Sequence, residues 1–170
     1  METVLPADIA QMAARVVAEN KAIGRTVAVA ESCTGGLVSA AITEVPGSSA
    51  ILGSGYVTYS NEAKMTMLGV NEDIIDTFGA VSVAVAWAMA QGALKKSGAD
   101  IAVAISGVAG PDGGTVNKPV GTVVVAVALK GQNPEDVVGD KKAFGEDKSR
   151  ADIRAFATLY ALELLLPPAP

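Results

Sequence analysis

The stretch Thr26-Val27-Ala28-Val29-Ala30-Glu31-Ser32-Cys33-Thr34-Gly35-Gly36 decides the fold. Its first five residues are a short apolar run that reads as a buried strand, and the strand runs directly into a loop of small polar residues. Leu37 to Glu44 then reads as a helix that stops before Pro46-Gly47. A second strand, Ile101 to Ile105, ends in the same way, in Ser106-Gly107-Val108-Ala109-Gly110-Pro111-Asp112-Gly113-Gly114-Thr115. These two loops are the most glycine-rich stretches of the chain.

The remaining elements follow outward. Ile9, Met12, Ala13, Val16 and Val17 recur at spacings of three and four, which predicts an amphipathic helix over Ala7 to Asn20, closed by Gly24. Ile51 to Ser60 reads as a strand broken or bent around Gly53 and Gly55. Asn61 is placed to cap a helix through Met67, and Asn71 to Phe78 reads as another short helix. Ser82 caps, and Gly98 ends, a helix over Ser82 to Ser97 that carries Trp87 in the core. Gly121 to Leu129 and Asp136 to Phe144 read as a final hairpin. Arg150 to Leu166 reads as a closing helix, stopped by Pro167-Pro168-Ala169-Pro170. This order predicts an α/β chain: one three-layer α/β/α domain over residues 1–166 with a mixed, mostly parallel sheet, and a Pro-rich tail at 167–170.

Composition narrows the function. Half the residues are apolar and only 4% aromatic, so the core is expected to be aliphatic. The net charge is -5 and no basic cluster stands out, which argues against nucleic-acid binding. Cys33 is the only cysteine, which fits a reducing compartment. The opening METVLPADIA carries acids where a signal peptide carries bases, and no apolar run reaches membrane-spanning length. A cytoplasmic protein with no membrane partner is the expectation. Histidine is absent altogether. That removes Ser-His-Asp and Cys-His pairs and nearly all common zinc sites, leaving Ser, Thr, Tyr, Lys, Asp, Glu and Cys33 for any hydrolysis.

Ligands of open α/β sheets gather at the carboxyl ends of strands. Glu31-Ser32-Cys33-Thr34-Gly35-Gly36 opens a helix, so its backbone N–H groups are placed to receive an anion, or its glycines simply make a tight turn. Ser106 to Thr115 is neither a P-loop nor a dinucleotide fingerprint, and reads as backbone running close to a ligand or as a loose connection. A serine nucleophile needs a base, and without histidine a neutral lysine is the best substitute. Lys64 stands just after a strand, although by pattern alone a lysine in a first helical turn is a solvated one. Cys33 reads as a small buried residue under its loop, and nothing in the spacing of Glu31, Glu62 and Asp112 demands a carboxylate pair.

Six segments in fixed order carry a resemblance over nearly the whole chain: Ala30 to Gly36, Pro46-Gly47-Ser48-Ser49, Val57 to Lys64, Gly79-Ala80-Val81-Ser82, Ser106 to Gly114, and Lys118-Pro119-Val120-Gly121-Thr122-Val123. Together they closely resemble the CinA C-terminal domain family, whose members are nicotinamide-mononucleotide deamidases. The resemblance implies hydrolysis of the carboxamide of nicotinamide mononucleotide to nicotinate mononucleotide and ammonia, in bacterial pyridine-nucleotide salvage, by a serine and a lysine with no metal and no cofactor. Carried over by motif, Ser49 (rather than Ser48) is the nucleophile, Lys64 the base and Tyr59 a proton-relay or orienting group. Ser32, Thr34, Gly35, Ser106 and Gly107 are expected to line the pocket. Arg150, with Arg154 second, is expected to help bind the phosphate, and the family's habit implies a homo-oligomer. The competing expectations are a non-catalytic nucleotide-binding regulatory domain and a Ser/Lys amidase acting on another amide.

Overall fold

The buried strands alternate large and small residues, and that alternation builds two unlike faces. In β1 (Val27–Glu31), Val27 and Val29 point to one side and Ala28 and Ala30 to the other. β3 (Ile101–Gly107) repeats the pattern with Ile101, Val103 and Ile105 against Ala102 and Ala104. β4 (Thr122–Leu129) sets Val123, Val125 and Val127 against Val124, Ala126 and Ala128. The computed structural model describes residues 3–168, and of the expected tail Ala169 and Pro170 lie outside the described residues.

The sheet order is β2-β1-β3-β4-β5, with β2 at Leu52–Val57 and β5 at Val138–Ala143. β2, β1 and β3 pair in parallel, and β3-β4 and β4-β5 pair antiparallel, so β4 alone runs against the other four. The β-branched face is covered by α1 (Ala7–Ala22), α2 (Leu37–Glu44) and α6 (Arg150–Leu164). The alanine face is covered by α5 (Val83–Ser97), flanked by α3 (Asn61–Leu68) and α4 (Glu72–Phe78). This is the three-layer α/β/α arrangement with a mixed sheet, and its core is aliphatic.

Small residues set how closely the alanine face is covered. A Cβ on Gly92 of α5 would meet the carbonyl oxygen of Leu68 inside van der Waals contact, and would lie 2.9 Å from both the carbonyl carbon and Cβ of that residue. Gly92→Ala is therefore expected to push α3 and α5 apart and cost about 1–3 kcal/mol, read as a lower melting temperature.

Local differences from the sequence reading have local causes. Ser60, not Asn61, caps α3, because its Oγ accepts from the Ala63 N–H at 3.0 Å. The bend in β2 is a register shift: Val27 faces Leu52 and Ala28 faces Ser54, leaving Gly53 unpaired as a bulge. β3 runs two residues further than expected, because Ser106 and Gly107 continue the ladder with Val124 and Val123. α6 begins with a capping box in which Ser149 and Asp152 each bond the other's backbone.

Candidate active site

The carboxyl ends of β1, β2 and β3 lie at one edge of the sheet, and the chain returns to that edge twice more. β4 starts there, since Val123 faces Gly107, and β5 finishes there, since Ala143 faces Thr122. The residues that follow each strand end thus converge. Ser32 and Cys33 come from the β1 end, Tyr59, Asn61 and Lys64 from the β2–α3 turn, Ser106, Gly107 and Ala109 from the β3 end, and Arg150 from the start of α6. With Ala80 and Val81 they enclose a pocket of about 210 Å³. Gly107 permits the close approach: a Cβ there would lie 2.9 Å from the Thr122 carbonyl and 3.1 Å from Cys33 Sγ.

Lys64 is the unusual member. It is 1% exposed, and among the described residues no carboxylate lies within ion-pair distance of its amine. Nζ lies 3.0 Å from the Thr58 carbonyl, 3.3 Å from the Tyr59 carbonyl, 3.5 Å from the Ser60 carbonyl and 3.3 Å from Ser32 Oγ. Loss of hydration lowers the pKa of this amine, opposed by the nearby Cys33 sulfur. That sulfur is itself a protonated thiol near neutral pH, pushed up to about 11 chiefly by burial, so it brings no countercharge there. In its neutral form such an amine keeps two N–H donors for the turn carbonyls and has a lone pair that can accept the Ser32 proton. Ser32, 8% exposed, opens into the pocket.

The first glycine loop does something other than bind an anion. Glu31, fully buried, turns its carboxylate onto the start of α2, where it accepts from the N–H groups of Gly36, Val38 and Ser39 and from the hydroxyls of Thr34 and Ser39. The N–H groups of Gly36, Val38 and Ser39 at the helix start are thus taken by the chain's own carboxylate. Thr34 is consequently buried with its hydroxyl committed, and Gly35 is turned toward Arg154; neither lines the pocket.

The structure does not bring Ser49 to Lys64. Ser48 to Ala50 form a single 3-10 turn that precedes β2 and so sits at the amino ends of the parallel strands. There the Val27 N–H donates to the Ile51 carbonyl, and a Cβ on Gly47 would lie 3.6 Å from Lys21 Nζ at the end of α1. Ser49 is separated from the pocket by the length of β1, roughly 16 Å for a five-residue strand at about 3.3 Å per residue.

The other expected residues divide by geometry. Tyr59 lines the pocket, but the part of it that meets the amine is its backbone carbonyl; its hydroxyl accepts from Arg150 Nη2 at 3.0 Å. Arg150 Nη1 donates to the Gly110 carbonyl at 2.6 Å, and the residue lines the pocket. Ser106 Oγ lies in the pocket and donates to the Ala80 carbonyl at 2.9 Å. Arg154 donates to the carbonyls of Cys33 and Thr34 and is absent from the lining. A larger, open hollow of about 760 Å³ beside the 111–120 loop carries Asp112 and Glu146 and none of these residues. The grips of Glu31 and Arg154 on the first loop were not anticipated; the signal for the first was a carboxylate ending an otherwise apolar strand.

Among the described residues no helix is long and apolar enough to cross a membrane, and no three His, Cys, Asp or Glu side chains are grouped to hold a metal ion. Comparison with known proteins agrees with the architecture. The model of the CinA C-terminal domain matches residues 9–167. The crystal structure of competence/damage inducible protein CihA from Agrobacterium tumefaciens superposes with a TM-score of 0.91 at 44% identity, covering 96% of this chain and 97% of that one. The nicotinamide-nucleotide amidohydrolase PncC of Escherichia coli K12 is 48% identical over 159 residues, 93% of each chain. A CinA-like protein of Mycolicibacterium vanbaalenii is 51% identical over 142 residues, 84% of this chain. That protein is longer: the chain spans only 25–32% of the length of the first curated relatives it matches. A match along 159 of 170 residues, with the same three-layer sheet in a solved relative, places the chain in the CinA C-terminal domain family.

Proposed function

We propose that the chain is a nicotinamide-nucleotide amidohydrolase that converts nicotinamide mononucleotide to nicotinate mononucleotide and ammonia, with Ser32 as nucleophile and Lys64 as base. The observation that carries this reading is the buried, carboxylate-free amine 3.3 Å from the Ser32 hydroxyl in a chain without histidine. The relative of nearly equal length whose name states that activity supports the substrate.

Neutral Lys64 takes the proton of Ser32, and Oγ attacks the carboxamide carbon. The N–H of Cys33, next after the nucleophile, is the first candidate donor to the developing oxyanion, and one such donor is typically worth about 3 kcal/mol. Protonated Lys64 returns its proton to the departing nitrogen, the C–N bond breaks as the carbonyl re-forms, and ammonia leaves the nicotinoyl ester on Ser32. Water then hydrolyses the nicotinoyl ester, its proton passing to Lys64 and on to Ser32. A pocket of about 210 Å³ is smaller than sites that enclose a whole drug-sized ligand, about 300 Å³ and upward. It suits the nicotinamide ring, with the ribose phosphate at the mouth beside Arg150. The ring of this nucleotide is cationic, and among the described residues no carboxylate lines the pocket, so its arrival further favours the neutral amine. Tyr59 orients Arg150 in this arrangement. The single buried thiol fits a cytoplasmic setting.

Ammonia release from nicotinamide mononucleotide, nicotinamide, NAD and glutamine tests the reading. The mononucleotide is expected to give the highest kcat/KM, undiminished by chelation, and Ser49→Ala to stay within about twofold of the parent because it is remote from the pocket. Ammonia from none of the four leaves a binding domain, and preference for glutamine makes this an amidase of another amide.

A further inference from the structure

The turn that carries Ser32 is held from two sides by opposite charges that take no part in the proton transfers above. From beneath, Glu31 accepts through Oε2 from Thr34 Oγ1 at 2.7 Å, Gly36 N at 2.9 Å and Val38 N at 3.1 Å, and through Oε1 from Ser39 N at 2.9 Å and Ser39 Oγ at 2.8 Å. From α6, Arg154 donates through Nε to the Cys33 carbonyl at 3.1 Å and through Nη2 to the Thr34 carbonyl at 2.9 Å. The carboxylate takes N–H groups of Gly36 and the start of α2, and the guanidinium takes the carbonyls of Cys33 and Thr34. Two strand contacts complete the frame: the Ser32 N–H donates to the Ile105 carbonyl and the Thr58 N–H to the Glu31 carbonyl.

We infer that Glu31 and Arg154 are a pair of positioning residues that fix Ser32 Oγ against Lys64, which makes them determinants of turnover rather than of substrate affinity. This rests on the assignment of Ser32 as nucleophile. Two features argue for it beyond ordinary helix capping. Gly36, the residue before α2, has φ 100° and no side chain to cap with, so the carboxylate five residues upstream does that work while being chemically bonded to Ser32's own backbone. Arg154 also has no anionic partner within ion-pair distance among the described residues, and spends its donors on the two carbonyls that directly follow Ser32. Displacing a reacting atom by about 1 Å can cost about 100-fold in rate.

The test is steady-state deamidation by Glu31→Gln and Arg154→Met, assayed well below their melting temperatures alongside Ser32→Ala. Gln preserves shape but turns one accepting oxygen into a donor that meets either the N–H of Ser39 or those of Gly36 and Val38. Expected is a fall in kcat of about 10- to 100-fold with KM within about threefold, an unchanged pH-rate profile, and partial recovery of kcat in Glu31→Ala on adding formate, which a loss of folded protein would not show. Should the Glu31 variants fail to fold, Arg154→Met carries the test alone by the same split. A kcat within twofold of the parent in Arg154→Met and in any folded Glu31 variant, with Ser32→Ala inactive, overturns the positioning pair and leaves the nucleophile standing. Normal turnover in Ser32→Ala overturns the nucleophile and the pair together.

Discussion

Ser32→Ala loses at least about 1,000-fold in kcat while its melting temperature stays close to the parent's. The loss is large because no neighbouring group can take over. The Ser106 hydroxyl is spent on the Ala80 carbonyl. Ser48 and Ser49 stand at the opposite end of the sheet. The Cys33 thiol, with its pKa raised to about 11, supplies almost no thiolate at neutral pH and is 5% exposed. The fold tolerates the change because the Ser32 side chain contributes one long hydrogen bond, 3.3 Å to Lys64, worth about 1 kcal/mol or less. Kinetics of ammonia release paired with thermal unfolding checks both halves, and more than a tenth of parental turnover in Ser32→Ala would return the nucleophile to the other serines.

How far this was legible in the sequence differs residue by residue. The Val-Ala-Val-Ala run before Glu31 and the Ile-Ala-Val-Ala-Ile run at 101–105 carry both the burial of the strands and the two unlike faces of the sheet, because strand side chains alternate. The strand-end rule also held the means to choose between the serines. Gly47-Ser48-Ser49 comes before β2, whereas Ser32 and Ser106 stand at the carboxyl ends of β1 and β3, so strand order alone sets Ser48 and Ser49 aside. Lys64 was legible only in part. Its place in the first turn of α3 argues for solvent, and what buries it is the 58–60 turn, which folds three carbonyls onto the amine and packs it under the β1 end. Glu31 was closer to readable, since all five donors to its carboxylate lie within eight residues of it. Arg154 was out of reach, for it meets the same loop from about 120 residues away.

Lys64→Met should be inactive, and its stability should reveal the same ionisation that governs the parent's rate. Methionine keeps much of the buried stem but accepts no proton, and loss of a general base costs about 100- to 10,000-fold. In the native parent, burial lowers the amine's pKa from the ordinary 10.5, so between the lowered value and 10.5 the unfolded chain binds more protons at this residue than the folded one does. Stability rises with pH wherever that holds. The parent therefore gains stability relative to Lys64→Met as pH climbs through this window. The difference between the two proteins is level below the lowered pKa, where both parental states are protonated, and level again above 10.5, where neither is. The parent's rate follows the same group: kcat/KM rises with pH as Lys64 becomes neutral and then flattens, and Lys64→Met lacks that limb. Denaturant unfolding across pH and the pH-rate profile thus read one pKa by independent routes. A stability difference that is flat across the window, or that falls with rising pH, would show that the amine enters the native state charged, and Ser32 would then have no base beside it.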